Sequence, residues 1–199
     1  AEQVLQRELP EPELEKSTQN IIQEADRLQA LVNRMLGPNR RPDYRELNIH
    51  HVLERVRSLV LAEIGDDSIK IVRDYDPSIP GLTGDMDQLI QAVLNIVRNA
   101  ARALNGEGQI TLRTRVARNF TIGNERYRLV AQIDIKDDGP GIPSEIADTL
   151  FMPMVTSGDG QGLGLSIAQS LITQHKGLIE CRSRPGETVF TILLPLAME

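Results

Sequence analysis

The sequence predicts an α+β fold, a two-layer sandwich in which one mixed, mostly antiparallel sheet is covered on one face by helices. Alternating apolar and polar residues indicate strands in adjacent pairs, at residues 109–118 with 126–137 and at 178–183 with 188–194. A helical pattern at residues 85–104 precedes the first pair, and Asp85 is its candidate N-cap. Strand pairs with helices between them favour this class.

Shorter elements complete this region. The sequence predicts a strand at 45–49, a helix at 50–64, a strand at 70–74, a loop at 77–84 and a last helix from about 165 to 175. Gly123-Asn124 lies in the loop that joins the first strand pair, and Pro185-Gly186 forms the turn of the second.

The first 38 residues predict a separate helical unit. Residues 1–9 resemble the end of one helix, Pro10-Glu11-Pro12 breaks it, and a second helix covers residues 13–36. Apolar residues seven apart in that second helix favour the seam of a coiled coil or four-helix bundle, although one amphipathic helix packed on its own domain is the alternative. We therefore predict a partial helical bundle at 1–38, a linker at 39–43 and a second domain at 44–199.

Composition excludes several classes of protein. The formal charge of −6 and the lack of a long basic run argue against a nucleic-acid binder. No apolar run is long enough for a membrane span, and the lone Cys181 suits a reducing compartment, so we expect a cytoplasmic protein without a membrane partner. The chain begins in mid-pattern without Met, which predicts a piece of a longer protein.

Two glycine clusters are the strongest functional candidates. The first, Asp137-Asp138-Gly139-Pro140-Gly141-Ile142, ends a strand in a carboxylate that is suited to accept hydrogen bonds. The second, residues 158–164, leads into a helix, whose first N–H groups and dipole favour phosphate. Either cluster alone could be an ordinary turn, and neither matches the dinucleotide or Walker patterns. Together, they predict a pocket for a purine nucleotide.

The helix at 85–104 carries two asparagines four residues apart, Asn95 and Asn99, which therefore lie on one face. They are either hydrogen-bonded core amides or ligands for a hard cation, such as the Mg²⁺ that accompanies nucleotide phosphates. Arg98 and Arg102 lie nearby, where each is either a phosphate contact or a solvated surface residue.

These blocks resemble the Bergerat-fold ATPases. Asn95-x-x-x-Asn99-Ala100 is similar to their N box, and the two glycine clusters are similar to the G1 and G2 boxes. Phe151-x-Pro153 resembles the F box of the sensor histidine kinases, and residues 186–195 resemble the closing strand of that branch. Further runs, at 25–38, 73–78 and 125–129, resemble the nitrogen-regulation (NtrB-type) sensor kinases.

The resemblance implies roles for individual residues. Asp137 should accept from the adenine amine, with Thr188 assisting through water, and Gly141 should let the base pack closely. Asn99, with Asn95, should present Mg²⁺, and the loop at about 143–161 should be a lid over ATP. The implied ATP-binding set is Asn95, Asn99, Arg102, Asp137, Gly139, Gly141, Ile142, Phe151, Gly160, Gly162, Leu163, Gly164, Leu165 and Thr188.

The resemblance also implies an activity and partners. ATP would phosphorylate a histidine, and the phosphate would pass to an NtrC-type response regulator, whose dephosphorylation the kinase also assists. A PII protein would exert control, and the full-length protein would be a homodimer. In ATP-hydrolysing branches a Glu stands one turn before the metal-binding Asn, and here Asn95 holds that place.

One expected feature is missing from the sequence. The acceptor histidine of the family stands in a His-Glu-x-x-Asn-Pro setting, which does not occur here. We expect His50 and His51 to be surface or cap residues, and His175 to be structural, as a cation favoured by a helix C-terminus. Two alternatives to the kinase are a Bergerat ATPase that hydrolyses ATP to drive a clamp and a non-catalytic interaction module switched by nucleotide.

Overall fold

A computed structural model describes residues 42–65, 68–155 and 162–196. They belong to one compact unit, Pro42–Glu199. The helical bundle predicted at residues 1–38 lies outside the described residues, as does most of the predicted linker, so that division of the chain stays a prediction.

The elements follow one another as strands, with helices inserted between them. In chain order they are β1 (Arg45–Leu47), α1 (Ile49–Ile64), β2 (Ser68–Asp74), β3 (Leu82–Gly84), α2 (Met86–Leu104), β4 (Glu107–Ile122), β5 (Glu125–Asp137), α3 (Ser144–Ala147), α4 (Gly164–Gln174), β6 (Leu178–Arg184) and β7 (Glu187–Pro195).

The main sheet confirms the predicted α+β class. Its strand order is β2-β4-β5-β7-β6, and only the β2–β4 pair is parallel. A second, two-stranded sheet pairs β1 with β3. Side chains on one face of the central strands are buried with the apolar faces of the helices, as Ile110 and Leu112 of β4 illustrate. Arg113 and Lys136 on the opposite face are exposed.

The helix α2 lies at the centre of the helical layer, in contact with both α1 and α4. Asp85 is its N-cap, as predicted, and its Oδ1 atom accepts from the Gln88 N–H at 3.1 Å. Asn105 ends the helix in a left-handed conformation, φ 49°. Within the described ranges, no helix is long and apolar enough to cross a membrane.

Three predicted boundaries differ from the structure. The segment predicted as a loop at 77–84 ends in the strand β3, whose three residues are too few for an alternating pattern. The lid segment contains the single turn α3. Both β4 and β5 run to a two-residue turn at Gly123-Asn124, and past the ends of β2 and β7 they pair with each other.

Two histidines are more deeply engaged than the sequence predicts. His175 is buried at the C-terminus of α4, where its Nε2 atom accepts from the Asp85 N–H at 3.0 Å and its Nδ1 atom lies 2.8 Å from the Leu171 carbonyl oxygen. A ring that accepts at one nitrogen is neutral, so the expected cation was wrong. His50 is half-buried, stacked on Tyr75 and bonded to Thr114, and is not a surface residue.

Candidate functional site

The first glycine cluster is built around a buried carboxylate. Asp137 is the last residue of β5, and only 2% of it is exposed. Its Oδ1 atom accepts from the Gly139 N–H at 3.1 Å, which turns the chain sharply after the strand. Burial raises the pKa of Asp137, the Gly139 N–H opposes the rise, and the charge of Asp138 adds to it. A carboxylate in this position is a strong acceptor for a ligand that can donate.

The hairpin β6–β7 fastens the loop that follows Asp137. The Gly186 N–H donates to the Gly139 carbonyl oxygen at 2.9 Å, and the Ile142 N–H donates to Ser183 Oγ at 2.8 Å. Between these bonds Gly141 has φ 88°, and a Cβ there would lie 2.9–3.0 Å from the backbone of Arg184. Glycine is therefore required at 141 by the hairpin, in addition to any approach of a base.

Thr188 and Ser183 extend this site across the sheet. Thr188 lies directly opposite Asp137 in the β5–β7 ladder and directly opposite Ser183 in the β6–β7 ladder, and it is 3% exposed. The hydroxyls of Ser183 and Thr188 are hydrogen-bonded at 2.8 Å. Thr188 is one of the site residues predicted from the sequence and Ser183 is not, although the two-residue turn of the hairpin places them opposite each other.

Cys181 lies two residues before Ser183 in β6, opposite Phe190. Burial raises the pKa of its thiol to about 12, and the charge of Asp137 contributes to the rise. The thiol is therefore protonated at neutral pH and belongs to the packing around the carboxylate.

The second glycine cluster is described from Gly162 onward. Gly162 has φ 64°, and a Cβ there would lie 2.6 Å from the Met154 carbonyl carbon, while its own carbonyl oxygen accepts from the Met154 N–H at 2.9 Å. The helix α4 begins at Gly164, and the N-cap, Leu163, makes no side-chain hydrogen bond to it. Among the described residues, no side chain caps the first N–H groups of α4, as an anion site at a helix N-terminus requires. The predicted Gly160 lies outside the described residues.

Asn95, the first asparagine of the pair, lies beside this helix N-terminus. A Cβ at Gly164 would lie 3.7–4.0 Å from the side-chain atoms of Asn95. Asn95 and Asn99 are half-buried, and neither side chain makes a hydrogen bond within the described part of the chain. Within the described residues, one unbonded amide beside a helix N-terminus and a second one turn further along α2 suit a hard cation that bridges to phosphate better than a pair of hydrogen-bonded core amides.

The helix α2 connects the two clusters. A Cβ at Gly139 would lie 3.6 Å from Leu104 and 3.7 Å from Ala103, at the C-terminal end of α2. Asn95, which faces Gly164, precedes Ala103 by eight residues, which corresponds to about 12 Å along a helix. The buried carboxylate and the helix N-terminus therefore belong to one elongated site along α2.

The remaining predicted residues have different surroundings. Ile142 and Phe151 are partly buried against the core, and the Phe151 ring packs edge-on against Phe190 with centroids 6.4 Å apart. Arg98 donates from Nε to Glu63 Oε2 at 2.9 Å and lowers the pKa of that carboxylate. Arg102 is exposed. Leu165 is buried in the first turn of α4 and anchors it.

Comparisons with known proteins agree with this geometry. The family model described as histidine kinase-, DNA gyrase B- and HSP90-like ATPase matches residues 84–198. The chain is 54% identical over 198 residues to the sensory histidine kinase/phosphatase NtrB of Klebsiella oxytoca, and 52% identical to that of Salmonella typhimurium. Each alignment covers 98% of this chain and 56% of the relative, so the chain spans little more than half of the length of these relatives.

A solved structure gives the same result for the fold. The histidine kinase ThkA, in complex with the response regulator protein TrrA, superposes with a TM-score of 0.73 at 25% identity. The match covers 95% of this chain and 53% of that one. The chain belongs to the family of histidine kinase-, DNA gyrase B- and HSP90-like ATPases.

Proposed function

We propose that this chain is the ATP-binding catalytic part of a sensory histidine kinase of the NtrB type, an enzyme that transfers phosphate from ATP to a histidine. The observation that carries the proposal is the position of Asn95, which faces Gly164 at the start of α4. Asn95 belongs to α2, the helix whose C-terminal end borders the loop after Asp137. One helix thereby holds both ends of an elongated nucleotide.

The purine end is the row around Asp137. The adenine amine would donate to the Asp137 carboxylate, and Thr188 would assist through water from the opposing strand. This assignment is supported by the burial of both side chains and by their direct pairing in the ladder. A guanine base presents a carbonyl oxygen where adenine presents its amine, so the carboxylate would repel it.

The phosphate end is the start of α4. The N–H groups that follow Gly162 and Gly164 would bind phosphate oxygens, and Arg102 would contribute charge from solvent. The side chains of Asn99 and Asn95 would hold Mg²⁺ through their amide oxygens. When bound, Mg²⁺ would neutralise phosphate charge during transfer. The amides of Asn95 and Asn99, which make no hydrogen bond within the described residues, and the missing Cβ at Gly164 fit such a group.

Transfer is favoured over hydrolysis by the chemistry of residue 95. A hydrolysing enzyme of this family uses a Glu at this turn to activate water, and an amide has no basic site for a proton. Asn95 faces Gly164 within the site. The γ-phosphate would therefore be transferred to a histidine and not to water.

The acceptor histidine would come from outside this chain, because none of His50, His51 and His175 stands in a His-Glu-x-x-Asn-Pro setting. His50 and His175 are also held by internal hydrogen bonds. We include in the proposal a bundle at residues 1–38, a homodimer in the complete protein, and a cytoplasmic location. The kinase would phosphorylate an NtrC-type response regulator and would also assist its dephosphorylation. A PII protein would control the balance between these two reactions. The ThkA complex with the response regulator TrrA supports the regulator as a partner, and the kinase/phosphatase name of the NtrB relatives supports both directions of phosphate transfer.

Titration calorimetry with a non-hydrolysable ATP analogue, with and without Mg²⁺, tests the nucleotide site first. We expect binding that Mg²⁺ strengthens, and absence of binding would contradict the proposal. Radiolabelled ATP is then added together with a separate acceptor domain that carries the histidine. Labelled acceptor is the expected result. Intact ATP binding without labelling would indicate a nucleotide-switched interaction module, and phosphate release that Asn99→Ala abolishes would indicate an ATPase.

A further inference from the structure

The hydroxyl of Ser183 occupies a junction between the loop after Asp137 and the strand that carries Thr188. It accepts from the Ile142 N–H at 2.8 Å and shares a second hydrogen bond of 2.8 Å with Thr188 Oγ1. Ser183 is 41 residues from Ile142 in sequence and five from Thr188. One side chain thus joins two separate parts of the purine end.

The ladders put this junction in line with the carboxylate. Asp137, Thr188 and Ser183 occupy one row across β5, β7 and β6, because each is the direct partner of the next. Direct partners in neighbouring strands point to the same face of the sheet, about 5 Å apart. The three polar side chains therefore follow one another on one face of the sheet, from the buried Asp137 and Thr188 to the exposed Ser183 on the edge strand β6.

The Ser183 hydroxyl can make both of its hydrogen bonds at the same time. A backbone N–H only donates, so the bond from Ile142 occupies a lone pair of Ser183 and leaves its own proton available. If Ser183 donates that proton to Thr188 Oγ1, the Thr188 hydroxyl can donate its own proton toward Asp137. Thr188 is buried and its hydroxyl therefore needs such a partner, whereas Ser183 lies exposed on the edge strand β6.

We propose that Ser183 is a positioning residue for adenine recognition, which orients the Thr188 hydroxyl beside Asp137 and fixes the loop at Gly141-Ile142. The inference rests on the proposed function, since it assumes that Asp137 binds the adenine amine. Ser183 itself acts through Thr188 and the loop. Its removal should weaken the recognition of the base and leave phosphate binding unchanged.

The test compares ADP with IDP, whose base has a carbonyl oxygen in place of the adenine amine. Calorimetry measures both dissociation constants, in the presence of Mg²⁺, for the wild-type chain, Ser183→Ala and Ser183→Thr. We expect Ser183→Ala to weaken ADP binding about fivefold to tenfold, the effect of one lost hydrogen bond, and to leave IDP binding unchanged. Ser183→Thr keeps the hydroxyl and should restore the preference for ADP.

Ser78→Ala is a matched control. The Ser78 hydroxyl donates to Asp76 Oδ1 at 2.6 Å in an exposed turn, so its loss removes a comparable bond far from this row. The ratio of the two constants should stay at the wild-type value in this variant.

Three outcomes would overturn the inference. An unchanged ADP-to-IDP ratio in Ser183→Ala would refute it and leave the proposed function standing. An equal loss for both nucleotides with a lower melting temperature would assign Ser183 a purely structural role. A wild-type chain that binds neither nucleotide, or both equally well, would remove the adenine assignment itself, and that result is visible before any variant is made.

Discussion

The two ends of the candidate site differ in how completely their polar groups are bonded within the protein. At the purine end, Asp137 is buried, the loop after it is bonded to the β6–β7 hairpin, and the hydroxyls of Ser183 and Thr188 are bonded to each other. At the phosphate end, α4 begins without a side-chain cap, and the amides of Asn95 and Asn99 make no hydrogen bond among the described residues.

The difference follows from what each end is expected to bind. A base is recognised by shape and by one or two directed bonds, so a pre-formed pocket lowers the cost of ordering. A polyphosphate needs several free N–H groups and a cation, and groups already bonded to one another could not serve it. We therefore expect substitutions at the purine end to change specificity, and those at the phosphate end to change dependence on Mg²⁺ and salt.

The largest loss is expected for Asp137→Asn. The variant replaces a charged acceptor by an amide whose NH₂ group can face the adenine amine, and loss of a hydrogen bond to a charged group should weaken binding of an ATP analogue about a hundredfold. Calorimetry measures it, with Asp138→Asn as the matched control, because Asp138 is exposed and bonds to the Gln109 N–H. Equal losses in both variants would contradict the assignment.

Asp137→Asn should also change how the stability of the nucleotide-free protein depends on pH. Burial raises the pKa of Asp137 above its usual 3.8, so the folded chain holds this proton more tightly than the unfolded chain. This group's contribution to the free energy of unfolding therefore falls as pH rises from the unfolded pKa through the raised folded pKa. Urea unfolding at a series of pH values should show that the free energy of unfolding falls less steeply with rising pH in Asp137→Asn than in the wild-type chain. A parallel pair of profiles would contradict the assignment of burial as the cause.

Asn99→Ala tests whether the amides at the phosphate end hold Mg²⁺. Without that amide the gain in nucleotide affinity from Mg²⁺ should drop on the order of tenfold, as for other losses around metal sites, while affinity without Mg²⁺ should change little. Gln169→Ala, an exposed amide on α4, is the control. An Mg²⁺ effect that survives in Asn99→Ala would assign the cation to other groups.

Two glycines of the second cluster should separate stability from binding. A Cβ at Gly164 would make ordinary contacts of 3.7–4.0 Å with Asn95, so Gly164→Ala should keep the melting temperature within a few degrees but weaken phosphate binding several-fold, roughly the cost of one lost contact. Gly162 has φ 64° and a backbone neighbour at 2.6 Å, so Gly162→Ala should cost about 1–3 kcal/mol of stability. Thermal unfolding and calorimetry check both, and equal stability losses would contradict the distinction.

Much of this site could be predicted from local patterns. Three features each depend on a short stretch of sequence with a known geometry. They are the carboxylate at the end of β5, the glycine-rich start of α4 and the two amides four residues apart on α2. Ser183 could not be found in this way, because its bond to the Ile142 N–H joins residues 41 apart and depends on the register of the hairpin. The neutral state of His175 was missed for the same reason, since its partner, Asp85, is 90 residues away.

The smallest effect is expected for Arg102→Ala, and it separates contact from long-range attraction. Arg102 is exposed near the C-terminus of α2, so solvent and salt screen its charge. Loss of this charge should weaken ATP-analogue binding about threefold at low salt and not measurably at high salt, whereas Asn99→Ala should keep its deficit at both. Calorimetry at two ionic strengths, with the exposed Arg55→Ala of α1 as control, measures this dependence. A loss of affinity that persisted at high salt would show that Arg102 bonds directly to phosphate, as is proposed for the N–H groups at the start of α4.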